Sequence, residues 1–383
     1  MSKRKILFIT ERRADYSRLK PIMRGVRESP RLALQLMITG AHLLQEFGET
    51  KKVVEADGFT IDATLPMFSD NDKDDGVSMV LGMSRALAGM AETFPRLNPD
   101  VVFCGFDLGA HLAAAITGMH LNIPVAHIQG GEVSGTIDEV LRHACTKFAH
   151  LHFVATKQSY ERVIRLGENP DHVFLVGSPS LDTIKNISYP ERHEMCDLFD
   201  LDQEKKLIIF LQHPVTTEVE NIEKDIGESI QALECIKETY NPNIVAIYSN
   251  HDAGGRRIIS ALKRAGIQIS PHIVYEDFLR LLNIADVLVG NSSTGIHEAP
   301  SFGLPTVNIG SRQQHRERGC NVIDVKNNAD AIYSSIEKSL EDEDFIRTIK
   351  QGKNPYDNGD TAAQVIEILE KVKLPEVQKV ISY

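Results

Sequence analysis

The segment that decides the fold runs from residue 122 to residue 143 and reads NIPVAHIQGGEVSGTIDEVLRH. A short apolar run, a Gly130-Gly131 turn and an amphipathic stretch follow one another, which predicts a strand, a tight turn and a helix. In open α/β sheets such turns lie at the carboxyl ends of the strands, where ligands bind. Two glycines let a ligand approach the backbone closely. We therefore expect Glu132 and Asp138 to face a ligand.

The same alternation of short apolar runs and helical patterns continues along the chain. Strands are predicted at residues 5–10, 33–39, 101–105, 124–129, 152–155, 173–176, 207–212, 244–249, 273–275, 287–290 and 306–309. Helical periodicity covers 16–28, 77–94 and 222–239, among others. This alternation predicts an α/β fold with largely parallel, doubly wound sheets of the Rossmann type.

The length of 383 residues exceeds what one ordinary core accommodates. A polar, proline-containing break near residues 178–206 separates two series of strands and helices. We predict an N-terminal domain at 1–178 and a C-terminal domain at 200–358, with the active site in the cleft between them. In the last segment, 359–383, a helical pattern at 361–372 is expected to cross back onto the first domain.

The composition narrows the function classes. A formal net charge of −11 argues against a general nucleic-acid or anionic-membrane surface. Five cysteines without CxxC spacing, and an N-terminal apolar run too short for a signal peptide, favour a cytoplasmic protein. Because metal-binding spacings, a P-loop, a GxGxxG fingerprint and a GxSxG elbow are missing from the sequence, we expect neither a metal nor a cofactor.

Residues 287–312 have the features of an anion-binding site. Ser292 and Ser293 follow an apolar run, where backbone N–H groups and hydroxyls favour a phosphate. Plain helix capping by either serine explains the pattern equally well. Glu298 is placed to accept hydrogen bonds from a ribose diol. Arg312 is a candidate for pairing with a phosphate or orienting the loop, although a lone arginine at a strand end is more often a solvated charge.

The first predicted strand also ends in polar residues. Arg13 and Ser17 come at its strand-to-helix turn, where a phosphate is able to dock. Asp15 fits equally well as a first-turn residue that complements the helix dipole. Asp107 follows the run at 101–105, and an unpaired acid at a strand end is a candidate for chemistry, although strand-end aspartates often only cap.

Two further positions stand out. Asp138 has a structural alternative, since Thr136 and Glu139 flank it in the pattern of a capping box. Glu132 has no such role, because it belongs to the glycine turn itself. Among 14 histidines, His213 follows the first strand of the second domain and precedes a proline. We expect it to face Asp107 and Glu132 across the cleft.

At this point the motifs match a known family. The chain resembles the hydrolysing UDP-N-acetylglucosamine 2-epimerases of sialic-acid, legionaminic-acid and related nonulosonic-acid pathways. The resemblance runs nearly end to end. It rests on RADYS at 13–17, GGEVSGTIDEVLRH at 130–143, QHPVT at 212–216, DAG at 252–254, GNSS at 290–293, NIGSRQ at 308–313 and NPY at 354–356.

The resemblance implies a GT-B-like fold, a metal-free reaction and a homodimer or homotetramer. Family members eliminate UDP across C1–C2 to give a glycal, which water converts to the free 2-epimer, such as N-acetylmannosamine. Such chemistry needs a base, an acid and donors for the leaving diphosphate. Carried over, the acid/base candidates are Asp107, Glu132 and Asp138, with His213 near the sugar and diphosphate. The implied UDP-sugar ligands are Arg13, Ser17, Gln129, Asn250, Asp252, Ser292, Ser293, Glu298 and Arg312.

Two positions depart from the family pattern. Many relatives carry Gly-Asp-Arg where this chain has Phe106, Asp107 and Leu108, so a cationic contact to the substrate is missing. Some relatives carry a catalytic glutamate at Gln129, whose role then falls to Glu132 or Asp138. The expected substrate is UDP-N-acetylglucosamine or a 2,4-diacetamido-6-deoxy relative. The sequence leaves open whether the nucleotide is UDP or GDP. The rival functions are a non-hydrolysing epimerase, a GT-B glycosyltransferase and a binding protein without catalysis.

Overall fold

The computed structural model of the protein describes residues 3–271 and 273–382. The described residues form two compact units. The first takes Met1–Val133, Ile137–Thr183 and Tyr356–Tyr383, and the second takes Ser134–Thr136 and Ile184–Pro355. In this part of the chain, every helix is too short or too polar to cross a membrane.

The first unit is built on a parallel sheet of seven strands in the order β3-β2-β1-β4-β5-β6-β7. The strands are β1 Arg4–Thr10, β2 Leu32–Thr39, β3 Ala63–Leu65, β4 Val101–Gly105, β5 Val125–Ile128, β6 Leu151–Val154 and β7 Val173–Leu175. The helices between them are α1 Arg13–Glu28, α2 Lys51–Ala56, α3 Gly76–Leu97, α4 Gly109–His120, α5 Ile137–Phe148 and α6 Lys157–Arg165. Helix α7, Ser180–Asn186, lies where the chain passes from the first unit to the second.

Both faces of this sheet are buried. Successive side chains of a strand point to opposite faces, and β1 shows the consequence directly. Ile6 and Phe8 belong to one apolar cluster, together with residues of α1. Leu7 and Ile9 belong to another, together with residues of α3 and α4. Helices therefore cover the sheet on two sides, as the near-continuous apolar runs of its strands require.

The second unit repeats the plan with a parallel sheet of six strands in the order β10-β9-β8-β11-β12-β13. Its strands are β8 Leu207–Leu211, β9 Asn243–Ile247, β10 Ile269–Ser270, β11 Val287–Gly290, β12 Thr306–Ile309 and β13 Val322–Val325. Its helices are α8 Arg192–Phe199, α9 Ile222–Tyr240, α10 Gly255–Arg264, α11 Tyr275–Ile284, α12 Thr294–His297, α13 Ala329–Glu341 and α14 Glu343–Gln351.

The last helix, α15 (Thr361–Lys371), belongs to the first unit, where it packs against α1. Its amino end is held by Asp182, whose carboxylate accepts the N–H groups of Thr361 and Ala362 at 3.0 and 2.7 Å. Gly25 lets the two helices approach, because a Cβ there would lie 1.9 Å from Cδ1 of Ile366.

Each sheet has one point at which the strand order reverses. In the first unit it lies between β1 and β4, and in the second between β8 and β11. Ligands of doubly wound folds bind outside the carboxyl ends of the strands at such switch points. Arg13 and Asp107 follow the first pair of strands, and His213 and Ser292 follow the second pair.

The predicted α/β class with two doubly wound parallel sheets is confirmed. The strand predicted at 273–275 is wrong, since the edge strand β10 comes earlier and Tyr275 begins α11. A short apolar run fits a strand and a helix start equally well, which explains the error. The short edge strands β3 and β13 had no predicted counterpart, because their residues are only partly buried and do not form apolar runs.

Candidate functional site

Two neighbouring strand ends in the first unit have strained backbone. Phe106 follows β4 and Gln129 follows β5, with φ angles of 65° and 56°. Left-handed backbone is unfavourable for residues other than glycine and persists where the surroundings enforce it, often at functional sites. Both side chains are buried, and β4 and β5 pair in parallel. The two strained residues therefore lie at the same edge of the sheet.

A buried arginine joins these two strand ends. Arg142 lies on α5 with only 1% of its surface exposed. Its Nη1 donates to the carbonyl oxygen of Glu132 at 2.9 Å, and its Nη2 forms an ion pair with Oδ2 of Asp107. A guanidinium presents several donors in a fixed plane, which suits it to hold two acceptors at once.

The structure corrects the prediction that Asp107 is an unpaired acid. Its side chain remains 20% exposed while it pairs with Arg142. Asp107 is thus an oriented, partly accessible carboxylate at the end of β4.

Glu132 lies in the glycine turn and is buried. Its Oε1 accepts a hydrogen bond from Nε2 of Gln129 at 2.9 Å. The amide of Gln129 thus orients the carboxyl group of Glu132. Gln129, predicted as a substrate ligand, therefore contacts a predicted acid/base residue, and its buried Oε1 has no hydrogen-bond partner among the residues that the structure describes.

Asp138 lies in the first turn of α5 and is partly exposed. Residues four apart on a helix share a face, so Asp138 lies on the same face as Arg142. The strand ends of β4 and β5 and the start of α5 therefore bring Asp107, Glu132 and Asp138 to one edge of the first unit.

A second polar network holds the end of β4 from the other side. Nδ1 of the buried His111 accepts the N–H of Gly105 at 3.0 Å. The proton of the neutral ring is then on Nε2, which donates to Asp15 at 2.8 Å. Asp15 also accepts the N–H groups of Glu11 and Arg12 at 2.7 and 2.8 Å. Burial raises the pKa of Asp15, but the hydrogen bonds that it accepts from His111 and from the N–H of Glu11 outweigh this and lower the pKa. Asp15 therefore does more than place a negative charge in the first turn of α1. It is a buried carboxyl group that binds His111 and two backbone N–H groups.

Arg13 begins α1 directly after β1, as predicted. Burial lowers the pKa of its guanidinium to about 10, so it remains a cation at neutral pH. Ser17 lies one turn further on, and its hydroxyl donates to the carbonyl oxygen of Arg13 at 2.7 Å. Its proton is thus used within the helix, and the role of Ser17 in phosphate binding stays a prediction.

At the switch point of the second unit, Asn291 fixes His213. The amide of Asn291 accepts the N–H of His213 at 2.7 Å and donates to its carbonyl oxygen at 2.9 Å. Nδ1 of the imidazole accepts the N–H of Asn250 at 3.2 Å. The proton of a neutral ring is then on Nε2, which makes it a donor. The side chain of Asn250 donates to Asp252 at 2.5 Å.

A helix begins after β11, as the two serines predicted, but it is very short. Helix α12 spans four residues and is followed by a 3-10 turn at Ala299–Phe302. So short a helix has little dipole, so hydroxyl and N–H groups carry more of any anion binding. Ser292 Oγ accepts the N–H of Thr294 at 3.3 Å, and the Ser293 side chain makes no capping bond. Glu298 is buried at the end of α12.

Arg312 is half-buried and belongs to the same loop cluster. Its Nη1 donates to the carbonyl oxygen of Asn291 at 3.2 Å. The buried Gln313 donates to the same oxygen at 2.9 Å. Of the alternatives that the sequence left open, the structure favours loop orientation over a solvated charge.

Sequence reasoning missed Arg142, His111 and Asn291. Arg142 shares the buried face of α5 with Cys145 and Thr146, and a charged residue on an apolar helix face was the available signal. Asn291 directly follows a strand, so the rule that singled out Asp107 applied to it. Nothing in the local pattern of α4 distinguishes His111, whose partners come from distant parts of the chain.

Comparison with known proteins gives a consistent result. The family described as UDP-N-acetylglucosamine 2-epimerase matches residues 24–370. The chain is 36% identical to the UDP-N,N'-diacetylbacillosamine 2-epimerase (hydrolyzing) of Legionella pneumophila, with 97% of each chain covered. It is 32% identical to the UDP-N-acetylglucosamine 2-epimerase of Neisseria meningitidis serogroup B, with 98% of this chain and 97% of that protein covered.

The fold is also found among solved structures. A crystal structure of UDP-GlcNAc 2-epimerase from Neisseria meningitidis bound to UDP-GlcNAc matches with a TM-score of 0.82. The match covers 96% of this chain and 100% of that chain at 19% identity. At this identity the match establishes the fold alone.

Proposed function

Since this chain belongs to the UDP-N-acetylglucosamine 2-epimerase family, we propose that it is a hydrolysing 2-epimerase of a UDP-linked 2-acetamido sugar. The substrate is UDP-N-acetylglucosamine or a UDP-2,4-diacetamido-6-deoxy sugar. The products are UDP and the free 2-epimer, such as N-acetylmannosamine. The names of the two relatives support these two sugars, and the name of the Legionella relative supports hydrolysis.

The reaction has two stages. A base removes the C2 proton while the C1–O bond breaks on the opposite face, so that UDP leaves and a C1=C2 double bond forms. Water then adds, with its hydroxyl group at C1 and a proton at the other face of C2. One water is consumed and one UDP released in each turnover.

The observation that carries this proposal is the bridge made by Arg142 between Asp107 and the loop of Glu132. Proton removal at C2 and proton return on the other face need two positioned groups with different surroundings. Asp107 is ion-paired and partly exposed, whereas Glu132 is buried and bonded to a neutral amide. We assign proton transfer to these two residues and Asp138.

The second unit supplies the nucleotide contacts in this proposal. The Nε2 proton of His213 is a donor for the leaving diphosphate or the sugar. Hydroxyl, N–H and guanidinium donors suit phosphate oxygens, and a buried carboxylate suits a ribose diol. The nucleotide ligands that we propose in this unit are Asn250, Asp252, Ser292, Ser293, Glu298 and Arg312. Arg13 and Ser17 of the first unit complete the set of proposed ligands.

The test is to identify the products from each UDP-sugar, with a GDP-linked donor as a third arm. We expect free UDP and free 2-epimer in equal amounts, with no acceptor added. A UDP-linked 2-epimer without free UDP would identify a non-hydrolysing epimerase. UDP release that requires an acceptor would identify a glycosyltransferase, and tight UDP binding without turnover would identify a binding protein.

We also propose that the enzyme acts in the cytoplasm as a homodimer or homotetramer. All five cysteines are free, which supports a reducing compartment. Light scattering coupled to size-exclusion chromatography measures the oligomeric state directly. A monomeric mass would refute the proposed homodimer or homotetramer.

A further inference from the structure

A buried carboxylate lies away from the strand ends that carry the proposed chemistry. Glu168 is 1% exposed and contacts three nitrogen donors. They are Nζ of Lys147 at 2.6 Å, Nε2 of His152 at 3.1 Å and Nζ of Lys379 at 2.5 Å. Burial alone raises the pKa of Glu168, but these three partners outweigh it and lower the pKa to about 2. Glu168 is therefore a fixed anion at neutral pH.

Lys379 brings the chain beyond α15 to this carboxylate. Its side chain is 17% exposed, and its ammonium also donates to the carbonyl oxygens of Thr146 and Lys147 at 3.1 and 2.9 Å. These carbonyls belong to the last turn of α5, where a helix lacks internal donors and favours a cation. Lys379 thus caps the carboxyl end of α5 and ties it to Glu168.

Beyond Leu374, which packs against the apolar core of the first unit, this segment makes several polar contacts. His150 Nε2 contacts the carbonyl oxygen of Val377 at 3.1 Å, and the N–H of Ser382 donates to the carbonyl oxygen of Gly167 at 2.9 Å. The apolar side chains of Val380 and Ile381 are 74% and 53% exposed. Ile381 still lies against Gly167, and the ammonium of Lys379 adds a charged anchor with three acceptors.

The clamped end of α5 connects to the proposed site within one helical turn. Thr146 donates its hydroxyl to the carbonyl oxygen of Arg142 at 3.1 Å and contacts Nδ1 of His127 on β5 at 3.2 Å. Arg142 is the residue that joins the two strand ends, and Asp138 lies one turn before it. A shift of α5 along its axis would move both side chains together.

We propose that Lys379 is a positioning residue for the epimerase reaction. By holding the end of α5 against Glu168, it sets where Arg142 meets Asp107 and where Asp138 meets the substrate. The inference rests on the proposed function for its effect on turnover. Its structural half, that Lys379 holds α5, is independent of that function.

The test compares Lys379→Met with Lys379→Arg and with Lys373→Met. Methionine replaces most of the aliphatic part of the lysine side chain, and Glu168 retains Lys147 and His152, so the buried anion stays paired. Lys373 is exposed and serves as the matched control. A displacement of about 1 Å in an active site costs up to roughly 100-fold in rate. We expect K379M to lower kcat by about 10- to 100-fold, with K379R restoring most of it.

Two further readouts separate positioning from general destabilisation. We expect hydrogen exchange in K379M to quicken within residues 137–148 and in the segment after α15, while the rest of the first unit and the Kd for UDP are unchanged. A kcat equal to that of K373M, or exchange that rises evenly across the first unit, would overturn the inference. If the wild-type chain releases no UDP, the proposed function fails, and the exchange within α5 still decides whether Lys379 holds this helix.

Discussion

The two sheets have the same switch-point topology but present different chemistry there. At the edge of the first unit, a buried guanidinium pairs with Asp107 and holds the loop of Glu132. At the edge of the second, the amide of Asn291 holds the backbone of His213, and Ser292 lies beside it. The fold supplies the place in both units, and the side chains decide what happens there. We infer proton transfer at the first edge and nucleotide binding at the second.

The largest effect on this comparison is expected from removing the accessible carboxylate of Asp107, at the switch point of the first unit. Asp107→Asn keeps the shape and the acceptor oxygen that faces Arg142 but cannot exchange a proton. We expect kcat to fall by about 1000-fold or more, while calorimetry shows a nearly unchanged Kd for UDP. Glu92→Gln, on the exposed face of α3, is the control. Near-normal turnover in D107N would remove Asp107 from the mechanism.

The bridge itself is tested by Arg142→Lys. A lysine keeps the positive charge but cannot present two donors in one plane to Asp107 and to Glu132. We expect kcat to fall by about 100-fold through misplacement of these groups, with circular dichroism unchanged. Arg165→Lys, at an exposed position, controls for the substitution. Equal steady-state rates for R142K and R165K would show that the bridge has no catalytic consequence.

Acid sensitivity tests two buried histidines of the first unit, His127 and His42. Burial lowers the pKa of His127 to about 3 and that of His42 to about 4, from 6.5. Both contribute fully to stability above pH 6.5 and lose that contribution as the pH falls towards these values. Each costs about 1.4 kcal/mol per pH unit in this window.

Urea titrations at pH 7, 6 and 5 measure this loss as the free energy of unfolding. We expect His127→Gln to flatten the pH dependence, whereas His120→Gln, at an exposed position, leaves it unchanged. An unfolding free energy that stays constant from pH 7 to pH 5 contradicts the prediction.

The smallest expected effect belongs to the second edge. Arg312→Ala removes a donor that orients the Asn291 loop and that we place on a phosphate. We expect the Kd for UDP to rise about tenfold, the equivalent of roughly 1.4 kcal/mol, with kcat nearly unchanged at saturation. Arg347→Ala, which is exposed, should leave the Kd as it is. An unaltered Kd in R312A would mean that the phosphate site is misplaced.

Much of the fold could be predicted from the sequence because buried parallel strands are apolar runs. The strands at 101–105, 287–290 and 306–309 have the predicted bounds. Edge strands such as β3 and β13 lack this signal, because one side of each is exposed to solvent. The family resemblance read from the motifs is likewise confirmed by the match over residues 24–370.

The candidate site was less predictable than the fold. Asp107 and Ser292 could be located, since polar residues that follow strands of a parallel sheet meet at one edge. The pairing of Asp107 with Arg142 could not, because 35 residues separate them and their contact depends on how α5 packs. The same holds for Lys379, whose partners Thr146 and Glu168 are brought to it only by the folded first unit.

The most direct test of the central claim is proton NMR of the reaction in deuterated water. Our account predicts that UDP and the free 2-epimer appear together and that the product carries deuterium at C2, because a base of the first edge removes the original proton. In D107N we expect neither free UDP nor the deuterated 2-epimer to form, while the variant still binds UDP. A 2-epimer that retains its original C2 proton would contradict the account.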